Sequence, residues 1–386
     1  MNGATGLCSF FLLEGDIVLA MDGMIVGGKT RIARVTEADI PSILVQRVAR
    51  LRAKEGFDQR FLYFLLSTRS FRDYLWGVQT GTTISHISGS QIQGFRAHFP
   101  PLTEQRAIAR VLGTLDDKIE LNRRMNQTLE EICRALFKFW FVDFGPVRAK
   151  AEGRWKKGES LSGMPADMWD LWPGEFEESE LGEIPKGWEV EEVGNVVTVG
   201  GGSTPSTNDP RFWDGPILWA TPKDMAGLSA PVLLGTERKL TEAGLAETTS
   251  GLLPRGTVLL SSRAPIGYLA ISEVPVAVNQ GFITMTCRAN PSNHYMLHWA
   301  RENHEAIVAQ ANGTTFLEIS KRNFRPMRIL LPAGEVMRKF TACAQSFHEQ
   351  VVSNLRQVET LGPTRDALLP KLLSGEIRVP TSEGSP

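Results

Sequence analysis

One feature constrains this chain more than any other: it repeats itself. Gly81-Thr-Thr-Ile-Ser-His-Ile-Ser88 recurs as Gly313-Thr-Thr-Phe-Leu-Glu-Ile-Ser320, 232 positions further on. The same separation carries Tyr63 to Tyr295, Arg96 to Arg328, Pro100 to Pro332 and Arg106 to Arg338. Upstream the separation changes slightly, so that Ile40-Pro41 and Gln46 match Val274-Pro275 and Gln280, and Gly15-Asp-Ile-Val-Leu19 matches Gly256-Thr-Val-Leu-Leu260. Each copy has one order of elements. Short β-branched runs that read as strands come first, then an amphipathic helix (about 58–77 and 292–311), a Gly-Thr-Thr turn, a strand ending in proline, and a long helix. A fold with two similar α/β units, alternating with two long helices and related by an internal pseudo-two-fold repeat, is the expectation.

The long helices carry matching stripes. The first, from about Thr103 to Phe141, follows Pro100-Pro101, with Thr103 as a candidate cap and Gly145-Pro146 as its stop. At 1.5 Å per residue it is a rod of about 55–60 Å. Its heptad stripe is Ile108, Leu115, Asn122, Leu129 and Leu136, with Leu112 and Ile119 between; the second helix gives Phe340, Phe347, Asn354, Leu361 and Leu368, with Ala344, Val351 and Val358 between. Each stripe is broken by one asparagine near its middle, Asn122 and Asn354. A buried asparagine penalises slipped registers, because its amide loses its partner in any other alignment. The pattern predicts a coiled coil of the two helices, without fixing their direction.

Composition excludes several classes of protein. The formal net charge is −1, so a nucleic-acid face must be a local patch rather than a property of the whole chain. Cys8, Cys133, Cys287 and Cys343 form no C-x-x-C pair, the histidines show no metal-ligand spacing, and no metal is expected. That cysteine usage suits a reducing cytoplasm. The apolar run Leu7–Leu13 is far shorter than the roughly 20 residues of a membrane span. Gly200-Gly-Gly-Ser-Thr lacks the following lysine of a phosphate loop and reads as a turn with close backbone approach. Asn290-Pro291-Ser-Asn lacks the second proline and the aromatic of an amino-methyltransferase motif, and Ser261-Ser-Arg-Ala-Pro is no nucleophile elbow. No catalytic residue is assigned.

Residues 143–187 are rich in glycine, proline and charge and read as a loop-rich connector. Here the chain resembles a known family. Phe139 through Phe144-Gly-Pro-Val-Arg-Ala-Lys, Leu181-Gly-Glu-Ile-Pro-Lys-Gly-Trp188, Pro100-Pro-Leu-Thr-Glu-Gln105 and Leu368-Leu-Pro-Lys-Leu-Leu-Ser-Gly-Glu-Ile377 resemble the specificity subunits of type I restriction-modification enzymes. The resemblance implies a non-catalytic, cytoplasmic DNA-binding chain with this organisation: a first target-recognition domain (1–101), a central helical spacer (102–142), a linker (143–183), a second recognition domain (184–333), a distal helical spacer (334–376) and a tail (377–386). It also implies binding to double-stranded DNA at a bipartite site and docking of two modification subunits and of motor-nuclease restriction subunits. S-adenosylmethionine is expected in the modification partner and no cofactor in this chain.

The first copy departs from that pattern. It has 14 residues before Gly15, against 72 between Ile184 and Gly256, and so has no counterpart of Trp188 to roughly Thr241, which contains Gly200–Pro205 and Gly215–Trp219. The expectation is an N-terminally incomplete first domain that folds poorly and exposes strand edges.

Two domains that read different half-sites should share scaffold residues and differ at reading residues. Gly313, Thr314, Thr315, Ser320 and Arg328 have identical counterparts and read as scaffold or phosphate-positioning residues. The DNA-binding candidates are Lys223, Arg238, Lys239, Arg263, Lys321, Arg322, Asn323 and Arg325 in the second domain, and Lys29, Arg31, Gln91 and Gln93 in the first. Arginine pairs with guanine and asparagine with adenine in the major groove. Lys321 and Arg322 stand opposite Gly89 and Ser90 and are the better candidates for discrimination; the competing reading is a solvated basic loop. Two other functions fit the same pattern: a coiled-coil protein-interaction scaffold without DNA specificity (a truncated remnant), and a self-sufficient nuclease, for which no acidic cluster is evident.

Overall fold

The computed structural model describes residues 10–81, 85–288, 290–313 and 317–380. The chain forms two compact units, Met1–Asn122 with Arg356–Pro386, and Arg123–Leu355. Each long helix therefore gives one half to each unit.

In the first unit, strands β1 (Ile17–Ala20), β2 (Ile32–Arg34) and β3 (Val48–Leu51) form an antiparallel sheet in the order β2-β1-β3. Helices α1 (Gln59–Leu66), α2 (Arg69–Val78) and α3 (Gly89–Gln93) follow. Leu19, Met24, Phe71, Leu75, Ile87 and Ile92 close the core over the sheet. The amphipathic stretch read as one helix is two. Asp58 and Thr68 each cap a start, accepting the Phe61 and Phe71 amides, and the Ser67-Thr68 break separates them.

The long helix α4 runs over Leu102–Phe141. It starts one residue before the expected cap: Pro101 accepts the Gln105 amide (3.0 Å), leaving Thr103 inside the first turn. Gln105 is buried and joins the helix to the α/β unit, accepting the Asp58 amide (3.0 Å) and donating to Pro100 O (2.9 Å). Within this unit α4 packs on the end of the last helix, whose Leu369 and Leu372 meet Phe61, Phe64, Ile108 and Leu112.

The second unit has a five-stranded sheet. Its strands are β7 (Thr198–Gly200), β9 (Val232–Leu233), β11 (Val258–Ser262), β12 (Ile266–Ser272) and β14 (Phe282–Thr286), in the order β9-β12-β11-β14-β7. Beside it lies a smaller sheet in which β8 (Trp213–Ala220) stands between β10 (Arg238–Leu240) and β13 (Ala277–Val278). Helices α6 (Asn293–Glu302), α7 (His304–Ala309) and α8 (Lys321–Phe324), and strand β15 (Arg328–Leu331), complete the repeat before α9 (Gly334–Leu373).

Strand and hydrogen-bond register show that the repeat is structural. β2-β1-β3 corresponds to β12-β11-β14. The isolated bridges Thr80↔His86 and Asp22↔His86 recur as Asn312↔Glu318 and Arg263↔Glu318. Gly81 and Gly313 share positive φ (101° and 118°), a turn conformation that favours glycine. Ser88 and Ser320 cap the next helix in both copies, accepting the Gln91 and Asn323 amides. Thr314 and Thr315 lie outside the described residues.

The copies differ where the first lacks residues. β15 pairs antiparallel with β6 (Glu189–Glu192), burying Leu331, whereas its equivalent around Arg96–Pro100 forms no strand and Phe99 is exposed. The expected strand is missing because nothing described in the first unit corresponds to β6. Likewise Ala277 is fully buried where β13 pairs with β8, while its counterpart Ile43 is 49% exposed.

Residues 143–183 form more than a connector. Helix α5 (Gly145–Ala151) and a hairpin of β4 (Phe176–Ser179) and β5 (Gly182–Pro185) hold Val147, Trp155, Met164, Met168 and Trp172 in one core with Phe137, Trp140, Phe141, Trp188, Tyr295 and Phe340. Composition read glycine and proline as a loop; the three tryptophans among residues 155–172 were the signal for burial. Gly145 explains part of the Phe139–Lys150 motif, since a Cβ there would meet the Phe139 ring at 1.9 Å.

The helices pair antiparallel in each unit. In the first, Asp116 meets Arg365 and the Asn122 amide donates to Gln357 (3.2 Å). In the second, Asn354 donates to Asn126 (2.8 Å), and Phe137 packs on Phe340 with ring centroids 5.7 Å apart. Both expected register residues, Asn122 and Asn354, are buried, and Asn126 joins them as a third. Replacing Asn354 with leucine strands the Asn126 side-chain oxygen and should cost about 1–3 kcal/mol, while the Asn126→Leu/Asn354→Leu double variant recovers most of it. Urea denaturation of the four members of this cycle measures the coupling.

The second unit also buries imidazoles. His298 lies against Phe137, with Nε2 3.1 Å from Cys133 Sγ, and burial, with the positive charge of Arg301, pushes its pKa down to about 3. Burial and neighbouring His348 lower His294 to about 4, against the opposing pull of Glu273. Burial pushes the Glu273 carboxyl up, but its contacts with His348 (2.8 Å) and Arg255 (2.6 Å) outweigh that and hold it below 4.5. The folded pKa of both histidines lies below the unfolded 6.5, so the unfolded chain binds more protons as pH drops. Their stabilisation is complete above pH 6.5 and is lost towards pH 4, by on the order of 3 kcal/mol per imidazole. Glu273 adds a further loss below pH 4.5. Thermal midpoints at pH 7 and 4.5 should differ, and His298→Gln should narrow the difference.

Candidate nucleic-acid interface

One edge of the second unit's sheet collects the polar side chains. β11 ends and β14 begins there: the Ser262 amide donates to Gly281 O (2.8 Å) and the Ile319 amide to Ser262 O (3.1 Å). Arg263 projects from this edge towards Glu318 (3.6 Å), and both side chains are half-exposed. Lys321 and Arg322, three and four residues on, are exposed in the first turn of α8.

The glycine-rich loop seals the edge from the other side, as a turn with close backbone approach should. A Cβ on Gly202 would sit 1.7 Å from Val278 O, and one on Gly201 2.8 Å from Phe282 O and 3.2 Å from Lys321 Nζ. Thr204 Oγ1 donates to Gln280 Oε1 (2.6 Å). The loop therefore passes close to Lys321 at Gly201 and is tied to Gln280 at Thr204.

Other candidates occupy the smaller sheet. Arg238 stacks over Trp213, 3.4 Å from its centroid, on the β8–β10 pair, and Lys239 beside it is exposed. A guanidinium held flat on indole keeps its in-plane donors available to an acceptor. Lys223 pairs with Glu237 (2.8 Å), a hydrogen bond that holds its ammonium above the usual lysine range. Sequence reading did not single out Trp213 or Trp219; their position on opposite sides of Gly215-Pro216 in a short strand was the available signal.

Three candidates are committed to the fold. Asn323 donates its side-chain amide to Gln310 O (2.9 Å) while Ser320 caps its backbone. Arg325 donates to Val199 O (3.0 Å). Gln91 accepts the Ser88 amide (2.7 Å) and donates to Val78 O, which occupies both ends of its side chain. Arg328, matched by Arg96 in the repeat, is tied to Glu180 (3.2 Å) and Glu192 (3.4 Å), a scaffold position.

In the first unit the equivalent edge carries Asp22, Arg47 and His86. His86 Nδ1 lies 2.5 Å from Asp22 Oδ1, and Arg47 Nη1 lies 3.4 Å from both. Lys29 and Arg31, on and beside the hairpin Ile25–Val26/Lys29–Thr30, are exposed, as is Gln93. Sequence reading missed the Asp22–His86 pair because its members are 64 residues apart. Their alignment with Arg263 and Glu318 could have found it. Among the described residues no group of three or more His, Cys, Asp or Glu could hold a metal ion, and no helix is long and apolar enough to cross a membrane.

Two similar α/β units on paired helices, with polar loops at matching sheet edges, define a class of duplicated recognition proteins. The chain belongs to the type I restriction modification DNA specificity domain family, whose model matches residues 1–131 and 185–340. It is 27% identical over 360 residues to the type I restriction enzyme MjaIX specificity subunit of Methanocaldococcus jannaschii, covering 92% of this chain and 78% of that one. It is 26% identical over 355 residues to the HindI specificity subunit of Haemophilus influenzae, covering 82% and 77%. The fold is similar to the crystal structure of a type I restriction-modification S subunit from M. genitalium (TM-score 0.54, 14% identity, 94% of this chain and 84% of that one).

The glycine loop gives a direct test. Gly202→Ala forces its methyl into the Val278 carbonyl and should destabilise the second unit by about 1–3 kcal/mol. Gly235→Ala, where no atom lies within 4 Å of the added carbon, should be near neutral. Melting of the two variants beside the unaltered chain makes the comparison.

Proposed function

We propose that the two α/β units each read one half of a bipartite duplex DNA site, with the helix pair setting the span between them. The observation that carries this reading is the shared frame: both units hold the same loop, cap and strand register, and place different polar residues on it. Half-site spacing is then a matter of protein geometry, as it is for dimeric DNA-binding proteins. The near-neutral net charge confines phosphate contact to local groups such as Lys321, Arg322 and Lys239.

Cleavage and methyl transfer reside in partner chains on this reading. Two modification subunits, which carry S-adenosylmethionine, dock on this chain, and motor-nuclease restriction subunits join them in the cytoplasm. Support comes from the family match and from side chains arranged for contact rather than for activating a nucleophile.

Mapping methylated adenines in cells that express the chain with its modification partner tests the proposal. A split motif with a constant gap is the expected result; methylation without sequence preference overturns it. Arg322→Ala should alter the preference in the downstream half or weaken binding about tenfold, with a shallower salt dependence if the contact is to phosphate. Titration of duplex DNA at several salt concentrations separates the two effects.

A further inference from the structure

The most informative difference between the two units is a reversal of acidic and basic residues within one backbone frame. In the first, the Ile87 amide bonds Met21 O (2.9 Å), the Met21 amide bonds Arg47 O (2.8 Å), and the bridge Asp22↔His86 sits beside them. In the second, Ile319 bonds Ser262, Ser262 bonds Gly281, and the bridge is Arg263↔Glu318. Ile87 and Ile319 are both fully buried anchors. On this common frame the strand residue is an acid in one unit and a base in the other, and its loop partner changes in the complementary sense.

A pair needed only to tie loop to strand has no reason to invert, because either order supplies the attraction. Inversion matters to a third party that meets one member of the pair. All four side chains are accessible, with side-chain exposures of 35% for Asp22 and His86, 37% for Arg263 and 45% for Glu318.

A second observation marks the same spot. Arg47 has φ 66° and Ala264, next to Arg263, φ 54°, a left-handed conformation that costs a residue with a Cβ about 1 kcal/mol or more. At position 281, the counterpart of Arg47, the chain has glycine. The first unit thus keeps an arginine side chain over Asp22 and His86 in a backbone conformation that glycine would accept more readily.

We infer that the strand–loop pair at this edge, Asp22–His86 in one unit and Arg263–Glu318 in the other, is the specificity-determining element of each reader. Arg263 donates to the O6 and N7 of a guanine, and Glu318 orients its guanidinium. Asp22 accepts from the N4 amino group of a cytosine, His86 orients its carboxylate, and Arg47 offsets its charge near the phosphates. The inference rests on the DNA-reading proposal and assigns the discriminating contacts within it.

The test is selection by the full chain, assembled with its modification partner, from duplexes randomised across both half-sites. Grafting the first pair onto the second unit (Arg263→Asp with Glu318→His) should change the preferred base at one position of one half-site by about tenfold, leaving the other half-site as it was. Arg47→Gly, which relaxes the backbone, should leave the thermal midpoint equal or higher while discrimination in the other half-site drops about tenfold. Arg263→Gln supplies a milder change in case the graft does not fold. Unchanged preference in Arg47→Gly and Arg263→Gln, or a uniform loss of affinity at every sequence, overturns the inference and makes the pairs structural ties. If the unaltered complex selects no sequence at all, the DNA-reading proposal itself fails, a result distinct from failure of the pair variants.

Discussion

A loop in each unit is tied to the end of a central strand by a shared backbone hydrogen bond, Ile87 to Met21 in the first and Ile319 to Ser262 in the second. The bond is anchored by an isoleucine with no solvent access and by a serine that caps the following helix. Because strand end, bridge and cap are held together in both units, Asp22 and His86 in one and Arg263 and Glu318 in the other occupy matching positions. Different polar residues thus stand at that edge in the two units beside equally buried isoleucines.

The rods supply a different constraint. Their contacts in each unit run antiparallel, and their middle carries Asn122, Asn126, Asn354 and Gln357 where an apolar seam would be more stable. Amides buried in this way tie stability to register, because a shift by one heptad would separate donors from acceptors in a place that water does not reach. Within each unit the rest of the seam is ordinary hydrophobic packing: Ile108 and Leu112 with Leu369 and Leu372 in one, Phe137 and Trp140 with Phe340 in the other.

Much of this was legible in the sequence, because duplication and heptad spacing are properties of order alone. The matched Gly-Thr-Thr-x-x-x-Ile-Ser segments fixed the correspondence of the two units, and the repeated asparagines marked a buried polar layer. What escaped depended on tertiary context. The break at Ser67-Thr68 hides inside a continuous amphipathic pattern, since a capping threonine is also tolerated in a helix. The segment around Arg96–Pro100 has the residues of a strand but no described partner. The tryptophans of residues 155–172 fold a glycine- and proline-rich stretch into a core that composition assigned to a connector. Of the candidate site residues, Arg263, Lys321 and Arg322 stand on one edge, whereas Gln91, Asn323 and Arg325 are engaged by the backbone around them. Sequence can nominate a polar residue, but only the folded chain shows whether its hydrogen bonds are already made.

The distribution of indoles has a practical bearing. Trp76 is the one tryptophan of the first unit and is 65% exposed, while Trp140, Trp155, Trp172, Trp188 and Trp299 lie buried in the second. Blue-shifted emission from these buried indoles should therefore report on the second unit, with the exposed Trp76 and the partly exposed Trp169 contributing to the red. A fluorophore placed in the first unit would let the two halves be followed separately in a single denaturation, without cutting the chain.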